Sequence, residues 1–203
     1  MKREKMQNQD IYYKQFRKVC SQYFDFDDET FQQFKDITFL KNVEKGEIIQ
    51  DTYSLANYIY FICKGILRTY FLSEDGSIYT KNLFSENYFS ASKVSLISKE
   101  NSYLTIDALE DSTLIYIDFI KYRKLIDTNH NFKTFYINYL EKNWIIAKEK
   151  NEISLILDDA TTRYQNFIKN NPNIEKRIAL HHIANHLGIT PTQLSRIRSS
   201  LKS

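Results

Sequence analysis

Between about residues 40 and 118 the chain is a succession of short β-branched and aromatic runs, a pattern that few folds accept. The runs are Glu47-Ile48-Ile49, Tyr58-Ile59-Tyr60-Phe61-Ile62, Ile66-Leu67-Arg68-Thr69-Tyr70-Phe71-Leu72, Ile78-Tyr79-Thr80, Leu104-Thr105-Ile106 and Leu114-Ile115-Tyr116-Ile117. Turn signals at Lys45-Gly46, Lys64-Gly65 and Glu74-Asp75-Gly76 fall between them, where glycine supplies the positive φ that a tight hairpin needs. Regular short strands of this kind predict an antiparallel β-barrel or jelly roll. Three of the four glycines are used in these turns, so no glycine-rich phosphate cradle of the P-loop or Rossmann type is available.

Helices flank this region, giving an α+β chain. Residues of about 10–36 place Ile11, Phe16, Val19, Cys20, Phe31, Phe34 and Ile37 at helical spacing, with Asp27-Asp28-Glu29 suited to a helix start. Two short helices are predicted there. A long helix follows over about 130–157, free of proline and glycine, with apolar residues on two stripes. One stripe runs Phe132, Tyr136, Tyr139, Ile146, Ile153 and Leu157; the other runs Ile137, Leu140, Trp144, Ala147 and Leu155. A helix that is apolar on two sides must bury two sides. Packing one stripe on the β domain and the other on a twin helix predicts a homodimer seam at Ile137, Leu140, Trp144 and Ala147. Asn143 and Lys150 interrupt the first stripe. Another helix is predicted to start at Asp158 or Asp159 and stop before Pro172.

The segment 180–199, LHHIANHLGITPTQLSRIRS, carries the pattern of a helix-turn-helix. Ala184 is small where two helices would cross, Gly188 permits the turn, and Ile183, Leu187, Ile189, Leu194 and Ile197 are apolar where the unit must bury itself. Thr190 and Gln193 form a capping box around Pro191, a residue tolerated at the first helical position because its missing amide would be unpaired there anyway. On a helical wheel of about 100° per residue, Leu194, Ile197 and Leu201 face inward. Thr192, Arg196 and Ser199 face the opposite way, flanked by Gln193 and Ser195. That outward face is what a major groove would meet, so the DNA-contacting set is read as Thr190, Thr192, Gln193, Ser195, Arg196, Arg198, Ser199 and Lys202, on a recognition helix over 191–201.

The net charge of +3 is too small to argue nucleic-acid binding, but the distribution says more. From Pro172 onward Lys176, Arg177, Arg196, Arg198 and Lys202 stand against Glu175 alone, leaving the rest close to neutral. Hydrophobic content of 42% with 26% charge is that of a folded chain, not a disordered one. No run approaches the roughly 18 apolar residues of a membrane span. The N-terminal Gln7-Asn8-Gln9-Asp10 stands where a signal peptide would be apolar, and Cys20 and Cys63 belong to no CxxC pair. A cytoplasmic location is expected.

With these residues in view, the chain resembles the Crp/Fnr family of bacterial transcription regulators. Asn42-Val43-Glu44-Lys45-Gly46-Glu47-Ile48-Ile49, the run from Tyr58 to Arg68 and Asp75-Gly76 look like the opening strands of that family's cyclic-nucleotide-binding barrel. The long helix looks like its dimer helix, and the stretch from Arg177 to Leu201 like its DNA-binding domain. The ending is similar to short members that stop just after the recognition helix. The resemblance implies a sensor over 1–130, a dimerisation helix over 131–157 and a helix-turn-helix domain over 158–203. Double-stranded DNA, a second copy of the chain, RNA polymerase and an unidentified small effector are the implied partners.

Three departures from the family pattern are legible. Where its phosphate-binding cassette has Gly-Glu and then Arg-Ser or Arg-Thr, this chain has Ser90-Ala91 after Phe89, and Ser102-Tyr103. The effector pocket is therefore expected around Phe89, Ser90, Ala91, Ser102 and Tyr103, without the groups that hold cyclic AMP. At two base-reading positions where the family's cyclic-AMP receptors carry Arg and Glu, this chain has Pro191 and Thr192, and only Arg196 matches, so the operator must differ. The iron–sulfur branch needs an N-terminal cysteine cluster, whereas Cys20 is alone in that region.

Two rival readings follow. His182 and His186 have the spacing of a zinc pair, but HHIANH lacks the glutamate of HExxH and all four histidines lie at or beyond residue 130. They are read as structural or phosphate-facing, with no metal, cofactor or catalytic site expected. Alternatively, the chain is a ligand-binding signalling module whose helix-turn-helix contacts only protein.

Overall fold

The computed structural model describes residues 2–201, with side-chain surroundings from residue 9 onward except at positions 151 and 155. Helix α1 (Lys2–Cys20) starts earlier than the sequence suggested, and α2 (Asp28–Asp36) follows it. Asp27 caps α2 by accepting from the Thr30 amide at 2.7 Å, as the acidic triplet predicted.

Eight strands follow: β1 (Thr38–Val43), β2 (Ile48–Gln50), β3 (Tyr58–Lys64), β4 (Leu67–Leu72), β5 (Ile78–Phe84), β6 (Phe89–Ser90), β7 (Thr105–Ala108) and β8 (Ser112–Asp118). They do not close into one barrel. They form two four-stranded antiparallel sheets, β1-β8-β3-β6 and β2-β7-β4-β5, here called sheets A and B. The jelly-roll half of the expectation holds, and the closed-barrel half is corrected. The alternating faces of β3 and β8 explain why two sheets suffice. Tyr60, Ile62, Leu114 and Tyr116 face a core shared with sheet B, while Phe61, Ile115 and Ile117 face a helical layer. Both faces of sheet A are thus covered, so its strands read as continuous apolar runs.

The turn glycines Gly46, Gly65 and Gly76 all have positive φ. Gly65 is also a close approach, since a Cβ there would lie 2.0 Å from Ser112 Oγ. The short helix α3 (Lys93–Ser98) lies between β6 and β7, and α4 (Phe119–Thr128) follows β8 directly; neither was evident in the sequence.

The helical layer on sheet A is built from aromatic rings. Phe16 of α1 sits 5.0 Å from both Phe34 and Phe61 by ring centroids and is fully buried. Burial of each such ring contributes roughly 1.5–3 kcal/mol.

The long helix begins as α5 (His130–Leu140), widens into a π-helical stretch over Glu141–Ile146 and continues as α6 (Ala147–Leu157). Its first half behaves as expected, with Phe132 buried on the β domain; Phe135, which the stripe reading missed, is buried beside it. Its second half does not. Ile146, Ile153 and Leu157, expected to pack inward, are exposed, because the π-helical stretch over Glu141–Ile146 breaks the constant turn that the expectation assumes. Leu155 lies outside the residues whose side chains are described.

Asp159 caps α7 (Ala160–Asn170), which ends before Pro172 as predicted. The chain closes with α8 (Leu180–Leu187) and α9 (Pro191–Ser200).

Candidate nucleic-acid interface and effector cavity

Helices α8 and α9 are joined by a tight turn whose geometry follows from its sequence. Gly188 adopts φ +68° and its amide donates to the Asn185 carbonyl, while the Ile189 amide reaches back to the Ala184 carbonyl at 3.0 Å. This pair of bonds is a Schellman motif, which needs the left-handed residue that glycine supplies. Thr190 then caps α9 by accepting from the Gln193 amide at 3.1 Å, with Pro191 at the first helical position. Ile183 and Ala184 are fully buried and Leu194 is nearly so, closing the corner between the helices. Leu201 departs from the wheel prediction. It lies beyond the end of α9 and is 44% exposed, because the apolar corner is already filled by Leu194 and Ile197.

Thr190, Thr192, Gln193, Ser195, Arg196 and Ser199 share the solvent-facing side of this unit. Arg198 does not belong with them. Its Nε lies 2.7 Å from Glu175 Oε1, and the same carboxylate accepts from the Tyr164 hydroxyl at 2.7 Å, so Arg198 fastens α9 to α7. Lys202 lies outside the described residues. Arg177, counted in the basic tail, is also spent internally: it forks onto Glu86 at 2.6 and 2.9 Å and onto Glu110. Burial raises the Glu86 pKa, but the Arg177 bonds and the Gly65 amide outweigh it and leave the carboxylate below its usual range.

The C-terminal helices are docked, not tethered. Ile66, Leu83 and Leu109 of the β domain share one apolar cluster with Tyr164, Phe167, Ile174, Ile183 and Leu194. Beside it, Arg68 pairs bidentately with Asp107, its cross-strand neighbour, at 3.0 and 2.5 Å, and Arg68 Nη1 lies 3.2 Å from His182 Nδ1. Burial, then the charges of His181 and Arg68, push the His182 pKa down to about 4. His186 packs on Phe167 at 5.2 Å, and burial lowers its pKa as well. Both histidines serve this docking surface, and no group of three or more metal-capable side chains occurs among the described residues. Nothing in the sequence pattern points to the Arg68–Asp107–His182 contact, because its members are brought together only by strand pairing and docking.

The expected effector pocket divides in two. Phe89, Ser90 and Ala91 line a cavity of about 300 Å³ between α3, the long helix and the helical side of sheet A. Ser102 and Tyr103 lie elsewhere. The Ser102 hydroxyl is only 2.7 Å from Ser92 Oγ and donates to the Leu104 carbonyl at 2.6 Å, which exhausts it. Tyr103 is on the surface, stacked on Phe71 at 5.5 Å. Neither brings a charged partner to a phosphate, and Ala91 brings no acceptor for a ribose hydroxyl, so these side chains lack the charge-assisted bonds that would hold a cyclic nucleotide most strongly. Of the four seam residues, Leu140 and Trp144 face the cavity, while Ile137 is 47% exposed. Ile137 keeps its predicted exposure, and Ile145, Ile146, Ile153 and Ile156, in or beyond the π-helical stretch, are exposed as well, with Ile145 also bordering the cavity. Ala147 is partly buried.

Comparison with known proteins agrees with this architecture. Residues 40–129 match the profile of the cyclic nucleotide-binding domain. FixK2 from Bradyrhizobium japonicum superposes with a TM-score of 0.66 at 18% identity, covering 82% of this chain and 85% of its own. A protein from Eubacterium rectale assigned to the Crp/Fnr family of transcriptional regulators gives 0.59 at 20% identity, with 88% and 84% covered. The c-di-GMP-responsive regulator CLP of Xanthomonas campestris gives 0.63 at 15% identity, with 87% and 92% covered. No curated protein sequence matches significantly. Residues 40–129 therefore resemble a cyclic nucleotide-binding domain, and the chain has the overall fold of solved Crp/Fnr-type transcription regulators.

Proposed function

We propose that this chain is a homodimeric transcription regulator that reads operator DNA with α9, and that its β domain senses something other than cyclic AMP. In this reading residues 1–130 are the sensor, 131–157 the dimerisation helix and 158–203 the DNA-binding unit. The observation that carries it is the fixed presentation of Thr190, Thr192, Gln193, Ser195 and Arg196 on one exposed face, behind a turn braced by a Schellman motif and a threonine cap. Such a face suits base edges in a major groove, where an arginine pairs bidentately with guanine. The exposed isoleucines of the long helix supply the two-fold contact that palindromic half-sites require. Among the described residues no helix is long and apolar enough to cross a membrane.

A second reading draws on the internal pairing of Arg177 and Arg198, which leaves Arg196 as the cation on the outward face of α9. In that reading the unit contacts a protein. Mobility shifts with genomic fragments at stepped salt separate the two. DNA reading gives a salt-sensitive specific complex that Arg196→Ala weakens roughly ten- to a hundredfold, with less effect on random DNA. Protein contact gives no specific complex at any salt.

A further inference from the structure

The cavity between α3 and the long helix has an unusual composition. Its walls are aliphatic and aromatic, with Phe89, Leu96, Tyr139 and Trp144 around it, and of the residues that line it only Lys93 is charged. Lys93 places its ammonium 3.7 Å from the centre of the Trp144 ring and has no carboxylate within reach among the described residues. A buried donor without an acceptor is costly, and an ammonium in apolar surroundings more so. The ammonium asks for an acceptor carrying negative charge. The walls ask for an apolar body behind it.

We infer that this cavity binds a monocarboxylic acid with an apolar body, its carboxylate held by Lys93 and its tail against Leu96, Tyr139 and Trp144. At about 30 Å³ per methylene-sized group, 300 Å³ holds a body of roughly ten heavy atoms. A single ammonium matches a single charge. Apolar cavities of this size with a few convergent polar groups are the usual form of small-molecule sites. The site is on the helical side of sheet A, not between the two sheets. Burial, and then the nearby charge of Lys81, lower the Lys93 pKa to about 7, so the ammonium lacks compensation until an anion arrives.

Trp144 is the only tryptophan in the chain, so its emission reports this site alone. The test titrates the full-length protein with decanoate and, separately, with decanol, which has the same body without the charge. Decanoate is expected to change the emission saturably and to bind at least tenfold tighter than decanol. Its affinity is expected to fall as pH rises from 7 to 9, while that of decanol stays level, because the bound carboxylate requires protonated Lys93. Lys93→Met, which keeps the apolar stem, is expected to erase the preference for decanoate. No saturable change up to millimolar decanoate, or equal affinity for acid and alcohol, overturns the proposal. Should Lys93→Met fail to fold, the comparison of acid with alcohol on the unaltered chain still decides. The inference does not depend on DNA binding, so either can fail without the other.

Discussion

Replacing Arg177 by methionine keeps an apolar stem and removes the cation that joins the C-terminal helices to two glutamates of the β domain. Arg177 donates to Glu86 at 2.6 and 2.9 Å and also to Glu110, and the three side chains are 30%, 28% and 26% exposed. An exposed pair contributes about 0–1 kcal/mol, whereas losing one partner of a buried pair costs about 3–5 kcal/mol. At this intermediate exposure, with two carboxylates left facing each other, a cost of about 2 kcal/mol follows, or about a thirtyfold shift toward the undocked state. The apolar cluster of Ile66, Leu83, Ile174 and Ile183 remains, so the β domain stays folded. Hydrogen exchange reads the outcome directly. Amides of α8 at Ile183, Ala184 and Leu187 should exchange about thirtyfold faster, while those of β3 and β8 should not change. Unchanged α8 exchange would show that water screens the fork into irrelevance. Equal acceleration of α8 and β3 would show that the C-terminal helices open only with the whole molecule.

Three further outcomes are expected. The docked state should weaken as pH falls from about 6.5 toward about 4, because the undocked His182 takes up its proton first and docked His182 resists it; an NMR titration placing His182 near 6.5 would refute this. Millimolar cyclic AMP should leave the melting temperature unchanged, whereas a ligand at a hundred times its Kd would add about 2.7 kcal/mol. Sedimentation should give twice the 24.2 kDa chain mass at micromolar concentration, and Ile145→Glu should return the monomer, since Ile145 is 61% exposed on the long helix; a monomeric unaltered chain would remove the two-fold model.

Local chemistry was the legible part of this fold. The glycine turns, the Asp27 and Asp159 caps and the Thr190-Pro191 helix start are each decided by a few adjacent residues, and each was found where the sequence put it. The closed barrel was misjudged because period-two patterning fixes which residues are buried but not how strands group. Whether eight strands form one barrel or two sheets depends on pairings such as Thr38 with Ile117, distant in sequence. The long helix failed midway for a different reason. A wheel assumes a constant turn, and the π-helical stretch over Glu141–Ile146 breaks it, so Ile146, Ile153 and Leu157 are exposed where the wheel has them pack inward.

The same distinction governs the functional residues. Arg196 could be placed because a solvent-facing position follows from its own helix. Arg198 and Arg177 could not, because an arginine's availability depends on what else is near it. Glu175 and Tyr164 take the first, and Glu86, ninety-one residues away in sequence, takes the second. Counting charges along the tail therefore overstated the basic surface, and what α9 presents outward is a mostly neutral, hydroxyl-rich face with one arginine. In the DNA-reading proposal such a face would gain little from general attraction to phosphate and would depend on shape, on base contacts and on pairing two half-sites. That makes the exposed isoleucines of the long helix part of the recognition argument, since a single copy of so weakly charged a helix would have little hold on DNA.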